Sequence, residues 1–158
     1  MAYTIFYWVH TISYICWLLA FVGSLIYRSK IVNAQGSPAE KSLIQTERKI
    51  TSIGAHVGAL GILISGGAMA SMPGGPEWGW FNFSAHGWLA VKQSIFVIIL
   101  ILVVFSVKKS IGLKKQLRSE EGKVSDKSRR LWKGAYSYSL TVYLLVVVNV
   151  ILGLFRPF

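Results

Sequence analysis

The residues able to do chemistry are few, and they lie inside long apolar stretches. His10, Ser13, Tyr14 and Trp17 recur at i, i+3, i+4 and i+7, so they share one face of a helix. Tyr3 and Tyr7 continue the stripe in one direction and Ser24 in the other. A neutral histidine on such a face either hydrogen-bonds to a neighbouring helix or ligates a metal such as haem iron. Farther along, Lys92 stands beside Gln93 and six residues after His86. A lysine within an apolar span snorkels to the surface or pairs with a carboxylate. The apolar stretches contain no acid, so a ligand carboxylate such as a porphyrin propionate would supply the missing charge. His86, close to an interface, reads either as a hydrated imidazole or as a further metal ligand. His56 sits among Gly54, Gly58 and Gly61, with Ser65 and Ala68 beyond. Those small residues make a groove for close helix approach or for a flat ligand.

These residues must be positioned by membrane-crossing helices. Of the 158 residues, 53% are apolar and 15% charged, and the mean hydropathy is +0.51, which excludes ordinary soluble composition. Four stretches are nearly free of formal charge: residues 1–27, 50–76, 78–107 with Lys92 alone, and 134–155. Each is long enough to cross a bilayer as a helix. The expected architecture is therefore an all-α integral membrane protein, a four-helix bundle in a single domain covering residues 1–158. Its spans are expected at about 4–27, 50–72, 85–107 and 134–155.

The net charge of +11 has a membrane explanation, so nucleic acid is not an expected partner. Of 17 lysines and arginines, five lie in 28–49 and ten in 108–133, while the opposite side carries only Arg156. The positive-inside bias then puts both basic connections in the cytoplasm and both termini outside, as in a multi-pass protein of the bacterial inner membrane. The start lacks a basic n-region and a cleavage site, so the first span is read as retained. Within the basic connections, Ser37, Ala39 and Glu40 signal a helix start, and 108–133 reads as a helical extension with a turn near Gly122. Turn-formers and aromatics at 73–84 describe an outer loop lying in the interface as a lid.

Depth restricts which of these residues can meet. At about 1.5 Å of rise per residue, His10 lies on the order of 9 Å below the outer boundary and His56 a similar distance from the inner one. In a hydrocarbon core of about 30 Å they differ in depth by about 12 Å. One haem iron is not easily shared across that difference, so His10 matches the outer part of the third span, and His56 serves a second site or only a hydrogen bond. Asn149 is expected to bond across to another helix. Cys16, and Met69 and Met72, read as packing, and one cysteine permits neither an internal disulfide nor a thiolate metal site.

In order along the chain, His10 with Trp17, Glu47-Arg48-Lys49, Gly87-Trp88-Leu89-Ala90-Val91-Lys92 and Arg156-Pro157-Phe158 resemble the membrane protoporphyrinogen IX oxidase family of the HemJ type and its copper-resistance-D-like relatives. The resemblance implies a four-helix membrane protein with haem b that oxidises protoporphyrinogen IX to protoporphyrin IX and passes electrons to a respiratory acceptor. It gives His10 and Lys92 the positions on which that family's haem and activity depend. The chain departs from the pattern at Ala90, where the family has histidine, around Tyr27 and Arg28, and over residues 137–140. His86, four residues before Ala90, could restore a ligand at a shifted depth.

Two classes of function follow. In the first, an oxidoreductase, His10 is an axial ligand with His86 as partner and His56 as the alternative, and Lys92 anchors a carboxylate. Tyr14 and Trp17 line the cofactor, and Gly58 with Gly54 and Gly61 admits the macrocycle. In the second, the chain is a non-catalytic membrane subunit, with or without haem, in a homo-oligomer or a larger respiratory or other complex. Metal transport would need more thiols and thioethers than one cysteine and three methionines provide.

Overall fold

In the computed structural model, residues 1–72 and 79–155 are described, and they contain four helices and no strand. These are α1 (Ala2–Asn33), α2 (Ala39–Ser71), α3 (Gly87–Arg118) and α4 (Asp126–Phe155). All four are long and apolar enough to cross a membrane. A helix satisfies its own backbone groups, and that is why such sequences form helices where no water is available to do so.

The helices are longer than the apolar stretches predict. The 32 residues of α1 correspond to about 48 Å, against a hydrocarbon core of about 30 Å. The excess lies at the end where the basic residues cluster. The connections expected over 28–49 and 108–133 are thus largely helix, and the turns shrink to 34–38 and 119–125. α2 begins at Ala39, in keeping with the start signal around Ser37, and Gly122 turns the chain with φ of +93°. At the opposite end, which carries Trp80, Phe81 and Phe83, α3 starts at Gly87 with His86 as its N-cap. Below, the two ends are called basic and aromatic.

α1 packs most extensively on α2 and α3 on α4, whereas α2 and α3 touch little. The first pairing rests on the small residues of α2. A Cβ placed on Gly54 would run into the Ala20 Cβ, and one on Gly58 would come within 2.6 Å of the Trp17 ring. A Cβ on Gly61 would meet the Ser13 hydroxyl. The seam expected to admit a flat macrocycle is therefore filled by α1, and close helix approach is what these glycines provide. One apolar core joins Tyr14, Trp17, Ala59, Ile62, Ile99, Val142, Tyr143 and Val146. A second, toward the basic end, joins Ile31, Ile44, Leu113, Leu117, Val124, Trp132 and Tyr136. Ile12, Leu19, Leu60, Ile64, Ile101 and Leu154 point outward and are exposed, as suits side chains facing lipid.

Candidate functional site

The predicted stripe of α1 does face inward. Ser13, Tyr14, Trp17 and Ser24 are buried and His10 is half-buried, while Tyr7 falls outside the stripe and is exposed. Antiparallel packing of α1 on α2 brings His10 to Ser65, whose Oγ is 2.9 Å from Nδ1. The Ser65 hydroxyl donates to the Gly61 carbonyl one turn earlier. The Ile62 carbonyl is a second hydrogen-bonding neighbour of the imidazole. Gly66 gives the ring room, since a Cβ there would lie 3.3 Å from Cε1.

Tyr14 links His10 to the third helix. Its ring meets the imidazole edge-on, with centroids 5.1 Å apart, and the Lys92 Nζ lies 5.3 Å from the Tyr14 ring centroid, within cation–π range. The same ammonium borders α4, because a Cβ on Gly153 would come within 2.7 Å of Nζ. Asn149 of α4 donates from Nδ2 to the Lys92 carbonyl at 3.1 Å, the interhelical bond predicted for this amide, and its buried Oδ1 has no partner among the described residues. His10, Tyr14 and Lys92 therefore converge from two helices, with Ser65, Asn149 and Gly153 supporting them from the other two.

The remaining predicted residues lie elsewhere or act differently. His56 is exposed, and its Nδ1 is 2.6 Å from the Ser52 carbonyl of its own helix, so it faces outward, away from the seam. Trp17 is fully buried against Gly58. His86 is half-buried at the aromatic end, where its backbone N–H donates to the Asn82 carbonyl at 3.0 Å. Among the described residues, no three His, Cys, Asp or Glu side chains stand together as a metal site.

Part of the predicted outer loop closes over this end. Residues 73–78, with Glu77, lie outside the described residues, as does Arg156. Trp80 donates from Nε1 to the Ser71 hydroxyl at 3.1 Å, and its ring is 3.5 Å from a Cβ placed on Gly67. Gln93 clasps the same turn, accepting from the Phe81 N–H at 2.6 Å and donating to the Gly79 carbonyl at 3.2 Å. Phe81 holds a φ of +49°, which is uncommon for a residue with a side chain.

A second polar cluster, at the basic end, escaped the reading of the sequence as a set of connections. Glu47 is fully buried; its Oε1 accepts from Ser24 at 2.7 Å, from Arg48 Nη2 at 2.6 Å and from Thr51 at 2.9 Å. Its Oε2 accepts from Arg48 Nε at 2.6 Å and from the Trp132 indole at 3.2 Å. Arg48 then reaches Ser139 at 3.1 Å, and Ser139 pairs with Ser106 at 2.9 Å. All four helices contribute to this network. The available signal was an acid–base pair at the edge of an apolar run, where a charge is costly unless paired.

Outside the spans, Glu40 and Arg129 tie α2 to α4. Arg129 Nε and Nη2 donate to the two carboxylate oxygens at 2.7 and 2.8 Å, a bidentate pairing. The Arg129 hydrogen bonds hold the Glu40 carboxyl below its usual range against the opposing effect of burial, helped by the Gly36 N–H. Lys41 donates to the Glu120 carbonyl at 2.7 Å. Glu120 in turn accepts from Ser128 at 2.8 Å and from the Ser125 hydroxyl, closing the turn between α3 and α4. Compared with known proteins, the chain matches no family model, no curated protein and no solved structure.

Proposed function

We propose that the chain is a b-type haem redox protein of the bacterial inner membrane, with both termini outside, resembling protoporphyrinogen IX oxidases in the reaction it serves. The observation that carries the reading is the half-buried His10 imidazole, held at Nδ1 by Ser65 and set against Tyr14, whose ring also meets the Lys92 ammonium. Metal-ligating histidines characteristically use the other ring nitrogen in this way, which fixes the ring and its tautomer. The donor set fits a haem on one side: Nε2 of His10 for the iron and the Lys92 ammonium, 5.3 Å from the Tyr14 ring centroid, for a propionate. His86, on the aromatic side of Lys92, would be the second histidine available to the group. A haem bound here would supply one-electron chemistry, and His10 and Lys92 would hold and orient it. Tyr14 separates His10 from Lys92, so its ring sets the spacing between the iron ligand and the anchoring charge. Oxidation of a porphyrinogen and delivery of electrons to a respiratory acceptor complete the reading.

The test is an absorption spectrum of the detergent-purified protein, oxidised and dithionite-reduced, repeated for His10→Ala and His86→Ala. Sharp b-type bands that disappear in His10→Ala are expected. Complementation of a strain lacking protoporphyrinogen oxidase, lost in His10→Ala and Lys92→Met, then tests the substrate. A colourless wild type from haem-replete cells overturns the reading and leaves the non-catalytic subunit of a larger membrane complex.

A further inference from the structure

The sparse contact between α2 and α3 leaves a cleft at the basic end with a volume of about 700 Å³. α1 and α4 close it from behind through Trp17, Val142 and Tyr143, and exposed Ile53 and Ile111 stand at its sides, so it opens on the outside of the bundle. Three properties define what it can hold. Its rim carries the exposed cations Lys49, Lys114 and Arg118, together with the inner Arg48. No carboxylate belongs to the lining, and Glu47 is already committed to Arg48, Ser24, Thr51 and Trp132. The walls between rim and floor are apolar at Ala55, Val103 and Val142. At the floor, the Trp17 Nε1–H is buried without a hydrogen-bond partner among the described residues, while the Tyr143 hydroxyl beside it has Thr51 as its neighbour.

Buried polar groups are nearly always paired, and leaving one unmet is costly. An unmet indole N–H on a residue that lines the cleft therefore points to an acceptor brought by a ligand. We propose that the cleft holds a single anionic glycerophospholipid, its phosphate among Lys49, Lys114 and Arg118, an ester carbonyl accepting from the buried Trp17 indole, and its acyl chains against the apolar walls. A free phosphate has no apolar body to fill the walls. A fatty acid has a single anionic head, which engages the rim and leaves the Trp17 indole unmet. Basic pockets between transmembrane helices recognise acidic lipid head groups by this combination of charge and burial. The site is separate from His10 and Lys92, so it stands or falls independently of the haem.

The test uses the full chain, stripped of lipid in detergent and titrated with palmitoyl-oleoyl phosphatidylglycerol while retained molecules are counted by native mass spectrometry. Phosphatidylcholine, with the same esters but no net charge, and oleate, an anion without an ester, are the comparisons. One phosphatidylglycerol per chain is expected, at least about tenfold tighter than phosphatidylcholine. Lys114→Gln with Arg118→Gln lies on the exposed rim and leaves the core untouched; it should weaken phosphatidylglycerol by about 30-fold. Equal binding of the charged and neutral lipids, no loss in the rim variant, or oleate binding as tightly as phosphatidylglycerol overturns the proposal. Retention of water alone, with no lipid, does so too.

Discussion

The two ends of the bundle solve the problem of buried polarity in opposite ways. At the basic end, Glu47 and Arg48 are adjacent in sequence and saturate each other, and serines, a threonine and an indole from all four helices take up the remaining valences. At the aromatic end, His10, Tyr14 and Lys92 meet through one hydrogen bond to Ser65 and two ring contacts. The first arrangement locks helices together and leaves its charged pair little freedom to react with anything else. In the second, an imidazole held at Nδ1 and a cation flank one tyrosine ring, an arrangement suited to binding something. Polarity in a membrane bundle is thus structural where every group is satisfied internally and a functional candidate where a group is held but not consumed.

Breaking the saturated end should have the largest effect. Glu47→Ala leaves the Arg48 guanidinium buried and uncompensated, and a loss of about 3–5 kcal/mol is expected. Replacing both residues, Glu47→Leu with Arg48→Met, should recover most of it, because an apolar pair removes both desolvation costs. Unfolding in mixed detergent and dodecyl sulfate micelles measures the difference. A double variant as unstable as Glu47→Ala alone would sink the view that an uncompensated charge is the cause.

Next come the glycines that set the α1–α2 distance on which His10 and Ser65 depend. Gly58→Ala places a methyl 2.6 Å from the Trp17 ring, and the expected cost is about 1–3 kcal/mol. Gly112, where a Cβ would meet nothing within 4 Å, is the contrast, and its change to alanine should stabilise the helix by about 0.5–1 kcal/mol. The same micelle assay applied to both variants reads the sign, and equal effects would deny the seam its role.

The smallest effect concerns the ion pair outside the spans. Because Arg129 holds the Glu40 carboxyl below its ordinary value of 4.5, the pair's contribution is complete above that value. It fades as the pH falls through the lowered folded-state value. Glu40→Gln should therefore be somewhat less stable than the parent at pH 7 and should lose less on acidification to about pH 3. Thermal unfolding of parent and variant across that range checks it; parallel pH profiles would show that the pairing adds nothing.

Much of this was legible from residue types alone. Four runs nearly free of charge read as spans, and a stripe of His10, Ser13, Tyr14 and Trp17 reads as one helix face. Asn149 was read as an interhelical donor because an amide in hydrocarbon has no other outlet. The helical character of most of 28–49 and 108–133 was harder to read. Charged residues suit a solvated loop as well as a helix extending past the bilayer, and only packing around Ile44, Leu113 and Trp132 favours the helix. Ser65 gave no sign that it would meet His10, since a serine among glycines looks like one more small residue.

By itself the sequence determined which four stretches form helices apolar enough to cross a membrane and much of the inward face of α1, because periodicity and desolvation act locally along a helix. Which inward residues meet was decided only by tertiary packing. The glycine seam fixes the register of α1 against α2 and closes the groove around Trp17. The same antiparallel packing puts Ser65 against His10, and the placement of α3 brings Lys92 to Tyr14. Such pairings depend on the relative rotation and offset of helices, which side-chain shape fixes only once the helices touch.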